Sequence, residues 1–466
     1  MGEAQIFPDV LAPPRRAPFA KVLVANRGAV AARIVRALRA LGIPSVALYS
    51  DADAGAPYLE AADAAFHVGP SPARASYLDQ DRILDIARRS GADAIHPGYG
   101  FLSENAGFAR RVAEAGLTFI GPSAGWIEAM GHKTRARELM ARHGMPVAAG
   151  SGLLGADADL AAIAAEIGYP LLVKPAGGGG GIGMQAVGSE AELTRSVERA
   201  RTLAARSFAD PQVYLERLLV KARHIEFQMM GDRHGGLRHL FERDCTIQRR
   251  HQKIIEEAPA PALPRAVLEA MAERGCAVLR QLSYDNIGTM EMLRDQSGHF
   301  CFLEMNTRLQ VEHAVTEMVT GIDLVVAQIL AASGLPLNEI LPNRITLAGH
   351  AIEARVYAED PVRFLPAPGR LDRFRTPAAT TPDLRIETGF AEGREVTPFY
   401  DPLIAKVIAR GADRREAVER LIAALEAFEI AGPQTNLPFL LKVLNDERFR
   451  TGDLHTGLAA EIAAGR

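Results

Sequence analysis

From Lys21 onward, apolar and polar positions follow two distinct rhythms. KVLVA is a short apolar run of strand length, NRG interrupts it, and AVAARIVRALRALG then repeats its apolar residues with a helical period as far as Gly42. IPSVALYS supplies the next strand. The same alternation of strand and helix returns through ADAIHPG and LTFIGPS, so residues ~20 to ~125 predict a parallel α/β domain. Residues ~130 to ~345 are richer in strand patterns. Beyond them runs a mixed segment that contains the amphipathic helix REAVERLIAALEAF.

A third rhythm occupies LEMNTRLQVEHA, residues 303–314. Glu304, Asn306, Arg308, Gln310 and Glu312 are polar, while Met305, Leu309 and Val311 between them are apolar. That period of two predicts one half-buried strand throughout. Just upstream, GTMEMLRDQSGHFCFLEMN (288–306) carries two alternating runs around the turn DQSG, which predicts a hairpin. Glu291 and Glu304 then lie on adjacent strands, with Asn306 next along the same face. Like charges facing each other destabilise a hairpin, and a hard cation such as Mg²⁺ or Mn²⁺ removes that penalty.

Composition narrows the class. A length of 466 residues is too great for one core, so roughly two to four domains are expected. The net charge of -3 argues against nucleic acid as a partner. No uninterrupted apolar run is long enough for a membrane-spanning helix, and the proline-rich first residues lack the order of a secretory signal. Cys245, Cys276 and Cys301 are too widely spaced for a metal knuckle or a disulfide framework, which fits a cytoplasmic chain. A dinucleotide site is not indicated, because the first turn holds only Gly28, and GWIEAMGHKT has the wrong spacing for a P-loop.

Two stretches carry candidate chemistry. In YPLLVKPAGGGGGIGM (169–184) a strand ending at Lys174 leads into six glycines within seven residues. Such a run lets backbone N–H groups approach an anion closely, and with Lys174 beside it the natural ligand is a polyphosphate. FERDCTIQRRHQKIIEEAPAP (241–261) gathers Arg243, Arg249, Arg250, His251 and Lys253.

AKVLVANRG, HPGYGFLSEN (96–105), GGGGGIGM, ERDCTIQRRHQK, EMNTRLQVEH, EARVYAEDP (353–361) and FYDPLIAKV (399–407) occur in that order. Together they resemble the biotin carboxylase component of biotin-dependent carboxylases, within the ATP-grasp superfamily. The resemblance implies an α/β chain of several parts. A tail over 1–18 would precede a Rossmann-like N-terminal domain at 19–130. An ATP-grasp domain at 131–345 would follow, with a mobile glycine-rich lid at about 148–220. A mixed α+β C-terminal domain at 346–455 and a tail at 456–466 would complete it.

The resemblance also implies roles by position. Lys133, Lys174, Gly179, Gly180 and Gly181 would hold the ATP phosphates, and Glu216 and Leu219 would lie along the adenine hinge. His224, Gln248 and His251 would complete the nucleotide pocket. Glu291, Glu304 and Asn306 would bind two Mg²⁺ or Mn²⁺ ions. Lys253, Arg308, Gln310 and the Val311 N–H would hold bicarbonate, with Glu312 as its general base, so the segment would bend after Asn306 to curl round the small anion where alternation alone suggests a continuous strand. Arg355 would stabilise the biotin enolate, with Tyr99 near the biotin ring. Biotin would arrive on a separate biotin carboxyl carrier protein, a separate carboxyltransferase would follow, and the chain would form a homodimer. The family pattern is departed from at Ala29, Ile182 and Ala314. RRHQK resembles the acyl-CoA branch, which makes an acyl-CoA such as acetyl-CoA the expected final acceptor. GGGGIGM and GSGLL (150–154) resemble urea-carboxylase-type members, which leaves urea or guanidine as the alternative.

Overall fold

The computed structural model describes residues 17–177, 183–208, 210–378 and 381–465. The expected alternation of strands and helices is present in the first part. Strands β1 (Val22–Val24), β2 (Ser45–Ser50), β3 (Ala64–Gly69), β4 (Ala94–His96) and β5 (Thr118–Phe119) form a sheet in the order β3-β2-β1-β4-β5, parallel throughout. All of β1 is buried, because apolar clusters cover both faces of the sheet. The helix Gly28–Ala40 buries Val30, Ile34 and Leu38, and the chain leaves it through Gly42 at a φ of +68°, in the left-handed region.

A small sheet, β7-β6-β8, follows, made of β6 (Leu171–Pro175), β7 (Gln185–Val187) and β8 (Val213–Arg217). Val197, Ala200 and Ala204 of the helix Glu190–Phe208 pack on it. Gly179, Gly180, Gly181 and Ile182 lie outside the described residues.

The largest element is an eight-stranded antiparallel sheet. Its strands are β9 (Arg223–Gly231), β10 (Leu237–Arg249), β11 (Gln252–Ala258), β12 (Asn286–Arg294), β13 (Phe300–Asn306), β14 (His350–Tyr357), β17 (Leu384–Thr388) and β19 (Leu403–Gly411). Their order is β13-β12-β9-β10-β11-β14-β19-β17, so hydrogen bonding runs unbroken from the central part of the chain into its last part. Two ribbons complete the strands: β15 (Gly369–Arg370) with β18 (Glu395–Val396), and β16 (Arg373–Arg375) with β20 (Glu429–Ala431).

One face of this sheet is apolar. Ile225, Phe227, Met290, Met292 and Phe302 pack with Leu268 and Leu279 of the helix Arg265–Gln281. Further along, Ile352, Ala354 and Val407 pack with Val418 and Leu421 of the helix Arg414–Glu426. The other face carries ionisable side chains in register. Glu304 pairs with Glu291, Glu291 with Glu226, and Glu226 with Arg243. Across the middle Glu256 pairs with Glu353, and beyond it Arg355 pairs with Lys406 and Lys406 with Glu387. Register partners project to the same side, so these groups form a charged row across the sheet.

Two expectations from the sequence are corrected. The alternation in LEMNTRLQVEHA does not run on as one strand: β13 stops at Asn306, where a bend is expected from the chemistry, a loop follows, and the helix His313–Thr320 begins directly after Glu312. The alternation is broken by long-range ties. The backbone N–H of Thr307 donates to Glu104 Oε1 at 3.1 Å, and Lys406 Nζ donates to the carbonyl of Val311 at 2.5 Å. The segment 456–466 is not a tail, because Leu458–Ala463 is a helix that buries Leu458, Ala459 and Ile462 in the core. The Thr456 N–H also donates to the carbonyl of Ala222. The N-terminal tail expectation falls on residues 1–16, outside the described residues, whereas Phe19 is already buried.

The helix His313–Thr320 is fixed over the charged face by Glu317. This residue is fully buried, with Arg33 Nη2 at 2.9 Å and Arg385 Nη1 at 2.6 Å. Burial alone would raise its pKa, but Arg33 and Arg385 overcome that and hold it at about 2. A depressed carboxyl pKa stabilises the fold above its unfolded value of about 4.3, so this contribution is lost as pH falls from there towards 2. Replacing Arg385 with Met leaves Glu317 and Glu387 under-compensated, with an expected loss of about 3–5 kcal/mol. Chemical denaturation at pH 7 measures this, and a loss below about 1 kcal/mol would mean that Arg33 alone suffices.

Candidate active site

The site is built around one ammonium group. Lys253 Nζ lies 2.6 Å from Glu226 Oε2, 2.9 Å from Glu291 Oε1 and 2.7 Å from Glu312 Oε1. Lys253 reaches this position because the chain reverses at Arg250 and His251, both at positive φ, between β10 and β11. Desolvation works against the charged lysine, yet Cys245 and the three carboxylates raise its pKa well above the ordinary value. Glu312 is the converse case. Burial pushes its pKa up, whereas Lys253, Arg355 and Arg243 together hold it well below the carboxylate range. Arg355 Nη2 lies 3.0 Å from Glu312 Oε2.

The loop after β13 folds back on itself through Arg308. Its Nη2 donates to Asn306 Oδ1 at 2.8 Å, and its Nη1 donates to Gln310 Oε1 at 2.9 Å and to the Leu309 carbonyl at 3.1 Å. Gln310 Nε2 donates to Asn306 Oδ1 at 2.8 Å and to Glu291 Oε1 at 3.1 Å. Val311 sits in this loop, with its carbonyl held from behind by Lys406. The loop therefore gathers a guanidinium and an amide, donor groups of the kind that hold a small anion.

The nucleotide end is assembled from other elements. Lys133 opens the helix Lys133–Arg142 and lies 3.0 Å from Glu304 Oε2. Lys174, buried at the end of β6, donates to Glu216 Oε1 at 3.1 Å, and Arg137 pairs with the same carboxylate. Glu216 is thus occupied by two cations, and only its backbone on β8 is left to line a hinge; Leu219, two residues beyond β8, is half-buried. His224 Nε2 is 3.0 Å from Glu291 Oε2, and its Nδ1 meets Gln248 Nε2 at 2.7 Å. His251 stands exposed on its turn.

The expected metal ligands are adjacent. Glu291 and Glu304 are register partners and Asn306 follows two residues on. Glu304 feels the Glu291 charge, which opposes its ionisation, while Lys133 favours it. An all-oxygen set with this charge suits a hard divalent cation. His224, Glu226 and Glu291 also bring their ligand atoms within 4.8 Å of one another.

At the far end Tyr99 is half-buried and within electrostatic reach of Arg355. Burial pushes its phenol up to about 12, so it is neutral at physiological pH. Asn26 Nδ2 holds its loop by donating to the carbonyls of Pro97 at 2.7 Å and Tyr99 at 2.8 Å. Gly98, at φ +65°, has no room for a Cβ because Asn26 stands 2.8 Å from where one would be.

Against known proteins, residues 18–127 match the family described as Biotin carboxylase, N-terminal domain. Residues 132–340 match Carbamoyl-phosphate synthase L chain, ATP binding domain, and 353–461 match Biotin carboxylase C-terminal domain. The chain is 48% identical over 441 residues to a biotin carboxylase of Halalkalibacterium halodurans, covering 94% of this chain and 96% of that one. The chain belongs to the biotin carboxylase family. Its activity is accordingly the ATP-dependent carboxylation of biotin, the first half-reaction of a biotin-dependent carboxylase.

Another biotin carboxylase family relative is biotin carboxylase 2 of Bacillus subtilis, at 46% identity, covering 94% of this chain and 98% of that one. Among solved structures, the biotin carboxylase domain dimer of Hydrogenobacter thermophilus 2-oxoglutarate carboxylase, in complex with MgADP, ADP and bicarbonate, superposes with a TM-score of 0.91. It is 42% identical, and the match covers 96% of this chain and 98% of that one.

Sequence reasoning gave no role to several residues that complete the site. Glu226 holds both Lys253 and Arg243, Lys406 pins the Val311 carbonyl, and Glu104 Oε2 accepts from Arg308 Nε at 2.9 Å. Glu104 and Lys406 stand within the quoted motifs HPGYGFLSEN and FYDPLIAKV, which was the available signal. Replacing Glu104 with Gln removes a charge-assisted hydrogen bond of about 1.5 kcal/mol, so KM for bicarbonate is expected to rise about tenfold with little change in KM for ATP. Steady-state kinetics check this. An unchanged bicarbonate KM would mean that Asn306 and Gln310 hold Arg308 by themselves.

Proposed function

We propose that Glu312 is the general base that takes the proton of bicarbonate as its oxygen attacks the terminal phosphorus of ATP. The observation that carries this is the linked arrangement of these groups: Lys253 pairs with Glu312 and shares Glu291 Oε1 with Gln310, which accepts from Arg308, and Glu312 is kept ionised by its cations. Lys253, Arg308, Gln310 and the Val311 N–H bind the anion. Lys133, Lys174 and the glycine run with Gly179, Gly180 and Gly181 bind the phosphates, and Glu216, Leu219, His224, Gln248 and His251 line the nucleoside end. Glu291, Glu304 and Asn306 would hold two divalent cations, Mg²⁺ or Mn²⁺, which would supply positive charge against the phosphate oxygens. Arg355 receives the negative charge that develops on the ureido oxygen of biotin, beside Tyr99.

The biotin is carried by a separate carrier protein and the carboxyl group passes to a separate carboxyltransferase in the cytoplasm. An acyl-CoA is the favoured acceptor, supported by relatives named for methylcrotonoyl-CoA carboxylase and propionyl-CoA carboxylase. A homodimer is supported by the dimeric biotin carboxylase domain to which this chain is similar.

With Mg²⁺ present, ATP hydrolysis is expected to require bicarbonate and to rise on adding free biotin. Glu312→Gln is expected to reduce biotin carboxylation by at least about 100-fold while ATP affinity stays within about twofold. Undiminished turnover in that variant would remove Glu312 from the role of base.

A further inference from the structure

The large sheet splits beside the reaction site. β11 and β14 are paired from Ala258 opposite Ala351 as far as Ile255 opposite Ala354, and there the pairing stops. β11 keeps to β10, with Lys253 opposite Gln248 and Gln252 opposite Arg249. β14 keeps to β19, with Arg355 opposite Lys406 and Tyr357 opposite Leu403. The strands therefore part where they carry Lys253 and Arg355, the two cations that bind the two oxygens of Glu312. Beyond Ala354, the edge of β14 that faced β11 has no strand beside it. Arg355, Val356 and Tyr357 are nonetheless buried, and buried backbone groups are costly to leave unpaired.

Asn436 takes the place of the missing strand. Its Nδ2 donates to the Arg355 carbonyl at 2.9 Å, and its Oδ1 accepts from the Tyr357 N–H at 2.8 Å. Its own backbone N–H donates to the Tyr357 carbonyl at 3.2 Å. One fully buried residue thus presents the donors and the acceptor that a paired strand would present. Asn436 also stands directly before the helix Leu437–Leu444, a position from which an Asn side chain ordinarily accepts from the first turn, yet it makes no such bond. The amide is given to β14 instead. Phe439, Leu440 and Val443 of that helix pack in the same apolar cluster as Ile352, Ala354 and Val356, which holds the amide in place.

We propose that Asn436 is a positioning residue for biotin: by standing in for β11 it fixes the backbone of Arg355, and with it the reach of the guanidinium to the ureido oxygen. The guanidinium lies at the end of a long side chain, so looseness in the backbone is carried to its tip. A misplacement of about 1 Å at a charge-stabilising group costs up to about 100-fold in rate. Without Asn436, β14 is held at Arg355 from the β19 side alone. Lys253 still binds Glu312, so the steps that precede biotin are left intact.

Asn436→Ala should lower kcat/KM for free biotin at least about tenfold, while bicarbonate-dependent ATP hydrolysis without biotin stays within about twofold. An equal loss in both reactions, or no loss with biotin, overturns the proposal. Asn436→Gln keeps the donor and the acceptor but sets them one methylene further out, and it is judged by the same criteria where the alanine variant does not fold. The inference rests on the role given to Arg355, and a double-variant cycle separates the two. In an Arg355→Met background, Asn436→Ala should cost the residual biotin carboxylation no more than about twofold, because no guanidinium is left to position. A further tenfold loss there overturns the coupling to Arg355. Retention of biotin carboxylation in Arg355→Met alone would instead overturn the underlying assignment of Arg355.

Discussion

Everything around the reaction volume is organised by the fact that Lys253 is one cation among three carboxylates. Glu226 arrives from β9, Glu291 from β12 and Glu312 from the loop before the helix His313–Thr320. Desolvating an ammonium is tolerable only with such partners, and desolvating the carboxylates is tolerable only with the ammonium. The arrangement therefore holds two strands and a loop in fixed relation before any substrate binds. It also leaves the three carboxylates different tasks. Glu226 is locked between Lys253 and Arg243, Glu291 faces His224, and Glu312 faces Arg355 on β14.

The charged row across the large sheet extends this logic from the nucleotide to the biotin end. Hydrogen-bonded strands hold the side chains a fixed step apart, so the groups proposed for phosphate, bicarbonate and ureido chemistry stand at successive positions on one surface. The N-terminal domain, whose parallel sheet resembles a dinucleotide-binding one, here acts as a support. Asn26 fixes the Tyr99 loop, Glu104 fixes Arg308, and Arg33 fixes the helix that starts at Glu312. Backbone meets backbone where Gly389 approaches Gly28, closely enough that a Cβ on Gly389 would stand 2.3 Å from the Gly28 Cα.

Local rhythm made much of this legible. The hairpin that pairs Glu291 with Glu304, the first helix ending at Gly42 and the first strands are short-range consequences of alternation and turn chemistry. Motif order then supplied the convergence of Lys253, Arg308, Gln310 and Glu312. What stayed hidden depends on contacts distant in sequence. The bend after Asn306 was expected, but not that Glu104 ties it, nor that Lys406 holds Val311 from a strand almost a hundred residues later. The helix at Leu458–Ala463 is too short to announce itself by period, and is helical because β10 and the core beneath it give it a surface.

The strand order has a consequence for how the protein is made. β19 lies between β14 and β17, and it closes the charged face with Lys406 only after residue 403 has been synthesised. On a ribosome the N-terminal sheet can form from its own contiguous residues, but the charged face must wait for β19. Until then β14 is an open edge, and Glu353 and Glu387 lack Lys406. Nascent chains stalled before this point should bind chaperones, and activity should appear late and all at once.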